Sequence, residues 1–176
     1  MRVHTIGHGT LPADEFTGLL RDRDVDHAVD IRSYPGSRHN PQYRRTEMQR
    51  WLPEAGIAYT WDERLGGRRK GTTPSRHPAL RHPAFRAYAD YMETDAFRAG
   101  VDDLLIVAAQ DTVVVMCSES VWWRCHRRLL ADHLVLVHGV DVLHIMHTGT
   151  VTEHPPLAEA RVEEGNVVYD GGTLGL

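Results

Sequence analysis

The chain of 176 residues holds only two cysteines, Cys117 and Cys125, and one lysine, Lys70, and none of its apolar runs is longer than a β-strand. Each scarcity excludes something. Two thiols are too few for a disulfide-built scaffold, and in a chain of this size they are expected to be free. Runs this short fall far below the roughly 20 apolar residues that a membrane-spanning helix needs. The opening Met-Arg-Val-His-Thr-Ile-Gly-His-Gly has neither the apolar stretch nor the cleavage site of a secretory signal. A cytoplasmic protein without a membrane partner is the expectation. No internal repeat or interdomain linker is visible, and 176 residues suit one hydrophobic core.

Charge is unevenly spread. Between residues 31 and 81 there are eleven basic and four acidic residues, a segment of +7, and the remainder of the chain carries −11. A basic segment on an acidic protein points to a local anion site more than to whole-surface attraction for nucleic acid. The alternative is compositional, because nineteen of the twenty basic residues are arginine.

Periodicity gives an alternating order of elements. Residues 3–6 read as a strand stopped by Gly7. Pro12 begins a helix with Phe16, Leu19 and Leu20 on its apolar face. Residues 26–31 are a second strand, followed by a turn-rich loop with Pro35, Gly36 and Pro41. Residues 44–55 read as a helix closed before Gly56, and 57–59 as a third strand. Residues 63–82 form a long loop, of the kind that tends to carry function. Helices follow from Pro83 and over 96–109, then a buried strand over 112–116, a helix over 125–137 and a fifth strand over 140–146. The expectation is an α/β fold: a single three-layer domain over 1–150, with a mainly parallel sheet of about five strands flanked by helices. Residues 151–176 read as a C-terminal extension with a possible hairpin around 163–166.

Residues 113–127 are the richest stretch: Val-Val-Val-Met-Cys-Ser-Glu-Ser-Val-Trp-Trp-Arg-Cys-His-Arg. A β-branched run ends in Cys117, and Cys125-His126-Arg127 opens a helical pattern. In a parallel sheet every β-to-α loop leaves on one side. Gly7-His8, Arg32-Ser33, the stretch 64–67, the stretch 117–124 and His147 are therefore expected to converge at the carboxyl ends of the strands, where such sheets bind ligands.

Several motifs together resemble the domain-of-unknown-function 488 family. They are Thr5-Ile6-Gly7-His8, Val29-Asp30-Ile31-Arg32-Ser33 with Pro35 and Ser37-Arg38, Leu65-Gly66-Gly67, Tyr88-Ala89-Asp90-Tyr91-Met92, and Met116-Cys117-Ser118-Glu119 to Cys125-His126-Arg127. They occur in the family's order over roughly residues 3–146. The resemblance implies a compact intracellular α/β protein and a set of signature positions, without an activity. Similar proteins often hold a proline between the two cysteines, where this chain has Trp122-Trp123.

Candidate roles follow from residue chemistry. Cys117, at a strand end before a helix, is either a nucleophilic thiolate favoured by backbone N–H groups and the helix dipole or a small buried packing residue. Cys125 and Cys117 would meet as a redox couple only if the loop between them returns on itself. With His126 and a distant histidine they could bind zinc, but the spacing fits no standard zinc module, so no metal ligand and no cofactor is assigned. Glu119 is a proton-transfer candidate or an acceptor for Arg32 or Arg127. His8, between glycines, is a ligand or acid/base candidate. Arg32, Arg38 and Arg127 are candidates for an anion clamp, with Ser33, Gly66 and Gly67 beside them. Trp122 and Trp123 would stack on a ring or form a lid. Two hypotheses result, with a metal-binding (zinc) protein as a further alternative. The first is an enzyme, a cysteine-dependent transferase or hydrolase, acting on an anionic small molecule such as a nucleotide or modified base. The second is a nucleic-acid-binding module whose basic segment contacts phosphates.

Overall fold

A computed structural model describes residues 1–171. Eight strands form: β1 (Arg2–Gly7), β2 (His27–Asp30), β3 (Ala58–Trp61), β4 (Val113–Cys117), β5 (Asp141–Ile145), β6 (Val151–Glu153), β7 (Ala160–Glu163) and β8 (Asn166–Tyr169). Five α-helices accompany them: α1 (Ala13–Arg21), α2 (Arg45–Glu54), α3 (Pro83–Met92), α4 (Asp95–Ala108) and α5 (Arg127–His138). Strands β1 to β6 make one sheet in the order β3-β2-β4-β1-β5-β6, in which only the β5–β6 pairing is antiparallel. Strands β7 and β8 pair as a separate antiparallel ribbon whose turn places Glu164 and Gly165 at positive φ. The α/β class and the mainly parallel sheet are as expected. The expected C-terminal extension continues into residues 172–176, which lie outside the described residues.

Why these segments pair is visible in β4. Its Val-Val-Val-Met-Cys run is buried throughout, as a central parallel strand covered on both faces must be. Val113, Val115 and Cys117 face the cluster formed with α3, α4, α5 and β8, and Val114 and Met116 face the cluster formed with α1 and α2. Large side chains fully buried in those layers, such as Phe97, Leu129 and Leu52, each contribute about 1.5–3 kcal/mol by leaving water. No helix among the described residues is long and apolar enough to cross a membrane.

One expectation is refined and one is corrected. The sheet has six strands, because Val151–Glu153 returns antiparallel to β5 after a turn with Gly149 at φ 82°. Helix α5 begins at Arg127, not at Cys125. A 3-10 turn over Trp122–Arg124 intervenes, and Cys125 itself is extended at φ −123°, ψ 152°.

The topology fixes where a site can form. β1 and β4 are neighbours, with Gly7 level with Cys117. The connection from β1 runs to α1 on one face, and that from β4 to α5 on the other. Their carboxyl ends therefore flank the crevice at which open α/β sheets admit ligands.

Candidate functional site

A cavity of about 520 Å³ opens at that crevice, within the range that suits a small molecule. His8, Arg32, Ser33, Gly67, Cys117, Glu119, Cys125 and His126 line it, so most of the residues singled out in the sequence share one hollow. Gly66 is buried just behind Ser33, and Arg127 lies beneath the floor. Arg38 is exposed and does not line the cavity. His147 reaches the rim from the fifth loop and bonds the Gly7 carbonyl at 2.7 Å, but it lines a neighbouring cavity with Trp122 and Trp123. The two tryptophans do not face the first cavity. Trp122 stacks on His144 at 4.3 Å, and Trp123 is exposed.

The close fit of loops explains the glycines. A Cβ on Gly7 would overlap the Glu119 carbonyl oxygen, and one on Gly67 would run into the His126 ring. Only hydrogen lets β1 pass under the loop after β4 and lets the third loop rest on His126. The loops are also tied by their backbones. His8 N–H donates to the Cys117 carbonyl at 2.9 Å, and Gly9 N–H to that of Ser118 at 3.0 Å.

The floor holds the sulfurs. Cys117 Sγ and Cys125 Sγ are 2.8 Å apart as free thiols, almost fully buried, and Cys125 Sγ is 3.5 Å from His126 Nδ1. Two thiols this close share protons, and the first ionisation is helped while the second is hindered. Burial and then the bond to Cys125 push the Cys117 thiol up. Burial opposes charge at Cys125 too, but the bond from Cys117, His126 and Arg127 outweigh it and hold this thiol well below its ordinary value.

After Cys117 and His126, Arg127 adds to this from below. It is 1 % exposed, and its Nη2 donates to the Glu119 carbonyl at 2.5 Å and its Nη1 to Thr5 Oγ1 at 3.4 Å. Among the described residues no carboxylate forms an ion pair with it. Burial disfavours its charge, and the charges of Cys117 and Cys125 overcome that. The acceptor expected of Glu119 is thus its main-chain oxygen, while its side chain is exposed.

Arg32 is held differently. Its Nε and Nη2 donate to the two oxygens of Asp30 at 2.8 and 2.6 Å, and Tyr59 OH donates to the same carboxylate at 2.7 Å. The remaining Nη1 lies 3.4 Å from His8 Nε2. His8 Nδ1 sits 2.8 Å from the Gly9 carbonyl, which can only accept, so Nδ1 carries the proton and Nε2 has the lone pair, on the side of Arg32 Nη1. Burial, opposed by the Gly9 carbonyl and aided by Arg32, lowers the His8 pKa to about 4, and the ring is neutral at pH 7. Its plane is fixed by stacking on Tyr43 at 4.0 Å.

Sequence reasoning missed Asp30 as the partner that neutralises Arg32, and it missed Tyr34, His39 and Phe85 as lining residues. An ionisable residue inside the apolar Ala-Val-Asp-Ile stretch was the available signal for Asp30. Among the described residues no group of three or more histidine, cysteine and carboxylate side chains is gathered as metal ligands would be.

A family model with the description "Domain of unknown function DUF488" matches residues 12–134, a span that holds both cysteines and leaves β1 and His8 outside it. No curated protein and no solved structure matches the chain.

Proposed function

The chain belongs to the DUF488 family, whose description assigns no activity, and from that premise we propose that it is a cysteine-dependent enzyme acting on an anionic small molecule. Cys125 carries the thiolate, and Cys117 shares its proton. The observation that carries this reading is the buried guanidinium of Arg127, which faces two sulfurs and has no paired carboxylate among the described residues. A buried cation without a counter-charge is strongly unfavourable, and a thiolate is the anion within its reach. The lining supports an anionic substrate. Arg68 and Arg124 are exposed cations at the cavity, while Glu119 is the single carboxylate among its lining residues.

The chemistry is a group transfer. The Cys125 sulfur attacks an electrophilic atom of the substrate, and the leaving group departs with the bonding pair. An acceptor hydroxyl or water then displaces the sulfur, giving its proton to His8 Nε2. The nucleic-acid reading finds less support. In the basic segment Arg32, Arg50, Arg64 and Arg76 are engaged in ion pairs with carboxylates, which leaves fewer free cations for phosphates.

Competing alkylating agents test the proposal. Free thiolates react faster with neutral iodoacetamide than with anionic iodoacetate. Native protein at pH 7 is expected to reverse that order at Cys125, with inorganic phosphate protecting. If neither sulfur is modified until the protein is unfolded, the proposal fails.

A further inference from the structure

A continuous chain of buried side chains leads away from Arg127. Thr5 Oγ1 lies 2.7 Å from His144 Nδ1, His144 Nε2 is 2.9 Å from His154 Nδ1, and His154 Nε2 is 2.8 Å from Asp132 Oδ1. With the 3.4 Å contact from Arg127 Nη1 to Thr5 Oγ1, five side chains from β1, α5, β5 and the segment after β6 are joined. None is more than 4 % exposed.

With one proton on each ring, every bond has one direction. A guanidinium only donates, so the Thr5 oxygen accepts from it and its hydroxyl proton goes to His144 Nδ1. An ionised carboxylate only accepts, so His154 presents N–H at Nε2 and a lone pair at Nδ1. His144 then fills that lone pair with its own Nε2–H. One proton on each ring satisfies the whole chain. Burial, then the neighbouring His154 and Arg127, lower the His144 pKa to about 3. Trp122 stacked on His144 fixes the ring plane. Asp132 is anchored in turn by Tyr169 OH at 2.9 Å and Leu157 N–H at 3.1 Å.

We propose that Thr5, His144, His154 and Asp132 are positioning residues for Arg127, a one-way donor chain that holds the guanidinium against Cys117 and Cys125. The inference rests on the thiolate reading above. Without the chain Arg127 keeps its bond to the Glu119 carbonyl but loses the contact that orients its other arm. The sulfurs are also faced by His126 from the cap of α5, by Tyr88 from α3 and by His144 from β5. None of these is altered by a change at Thr5 that keeps its shape.

Thr5→Val keeps the β-branched shape a strand favours and removes only the hydroxyl. Thr5→Ser restores the hydroxyl. Tyr169→Phe removes a bond to the same Asp132 but lies outside the chain. Thiolate absorbance near 240 nm, followed against pH in the folded full chain, gives the midpoint of the first thiol. Thr5→Val is expected to raise it by about one pH unit, a tenfold loss of thiolate on the steep part of the curve. Thr5→Ser and Tyr169→Phe are expected to leave it near the wild-type position. A wild-type midpoint in Thr5→Val, or equal shifts in Thr5→Val and Tyr169→Phe, would overturn the chain and spare the thiolate. A wild type with no thiolate below about pH 8.5 would overturn both. Nitrogen NMR of the wild type needs no variant: His144 protonated on Nε2 and His154 on Nε2 are expected, and the opposite tautomer in either ring contradicts the proposal.

Discussion

Two arginines are buried under the same cavity, and each meets a different kind of partner. Arg32 grips Asp30 with two parallel bonds, so its charge is cancelled within the pair. Arg127 has two sulfurs, a carbonyl oxygen and a hydroxyl around it. An ordinary carboxyl group loses its proton far below neutral pH, whereas an ordinary thiol, with a midpoint of about 8.5, is ionised at neutral pH only if its surroundings make it so. The first arrangement is therefore a structural clamp between the second strand and its loop. In the proposed function, the second uses buried positive charge to create a nucleophile. Each has a neutral histidine beside it, His8 near Arg32 and His144 in the chain from Arg127.

Acid should reach both regions at once and produce the largest effect. His8 and His144 stay neutral in the folded protein down to about pH 4 and about pH 3, and His133 down to about 4, in each case chiefly through burial. In the unfolded chain the same rings take up protons from about pH 6.5. The unfolded state then binds more protons, so stability falls as pH drops from 6.5 towards 4, by up to about 1.4 kcal/mol per pH unit for each ring. Urea midpoints across that range check the slope. A flat profile would mean that these rings are protonated in the native state.

Asp30→Asn separates the clamp from the thiol site. It leaves a buried guanidinium facing an amide and is expected to cost about 3–5 kcal/mol in urea unfolding. The thiol titration of the protein that remains folded should be unchanged. A shift of that titration would join the two regions and blur the contrast between them. At the small end, Arg38→Ala is expected to change stability by less than about 0.5 kcal/mol and to leave phosphate protection of Cys125 intact. Arg124→Ala, at the cavity wall, should weaken that protection severalfold. Equal effects from the two would show that the anion is drawn by general charge and not by the cavity.

Much of this arrangement was legible in the residues, for reasons that differ by element. The run that forms β4 is apolar at every position, which only a central parallel strand tolerates, and its abrupt end placed Cys117 at the crevice. The convergence of loops followed from parallel connectivity alone. The entry to α5 was misread by two residues because Cys125 closes the 3-10 turn and His126 caps the helix, and only the backbone reveals that Cys125 is extended. The strand Val151–Glu153 is three residues long, too short for alternation to register, and pairing with β5 defines it. The chain beneath Arg127 could not be read at all. Thr5 and His144 are 139 positions apart, and nothing local marks either of them as a partner of the other. Arg38 shows the opposite error: arginines near a candidate site look alike in sequence, and burial sorts them.

The most direct test is the pH titration of thiolate absorbance in folded wild type beside Arg127→Met, which replaces the buried cation with an apolar chain of similar length. Wild type is expected to lose its first thiol proton below the ordinary midpoint of about 8.5, and the variant above it. Coincident curves, or a wild type that ionises only above the ordinary midpoint, would contradict the claim that buried positive charge makes the nucleophile.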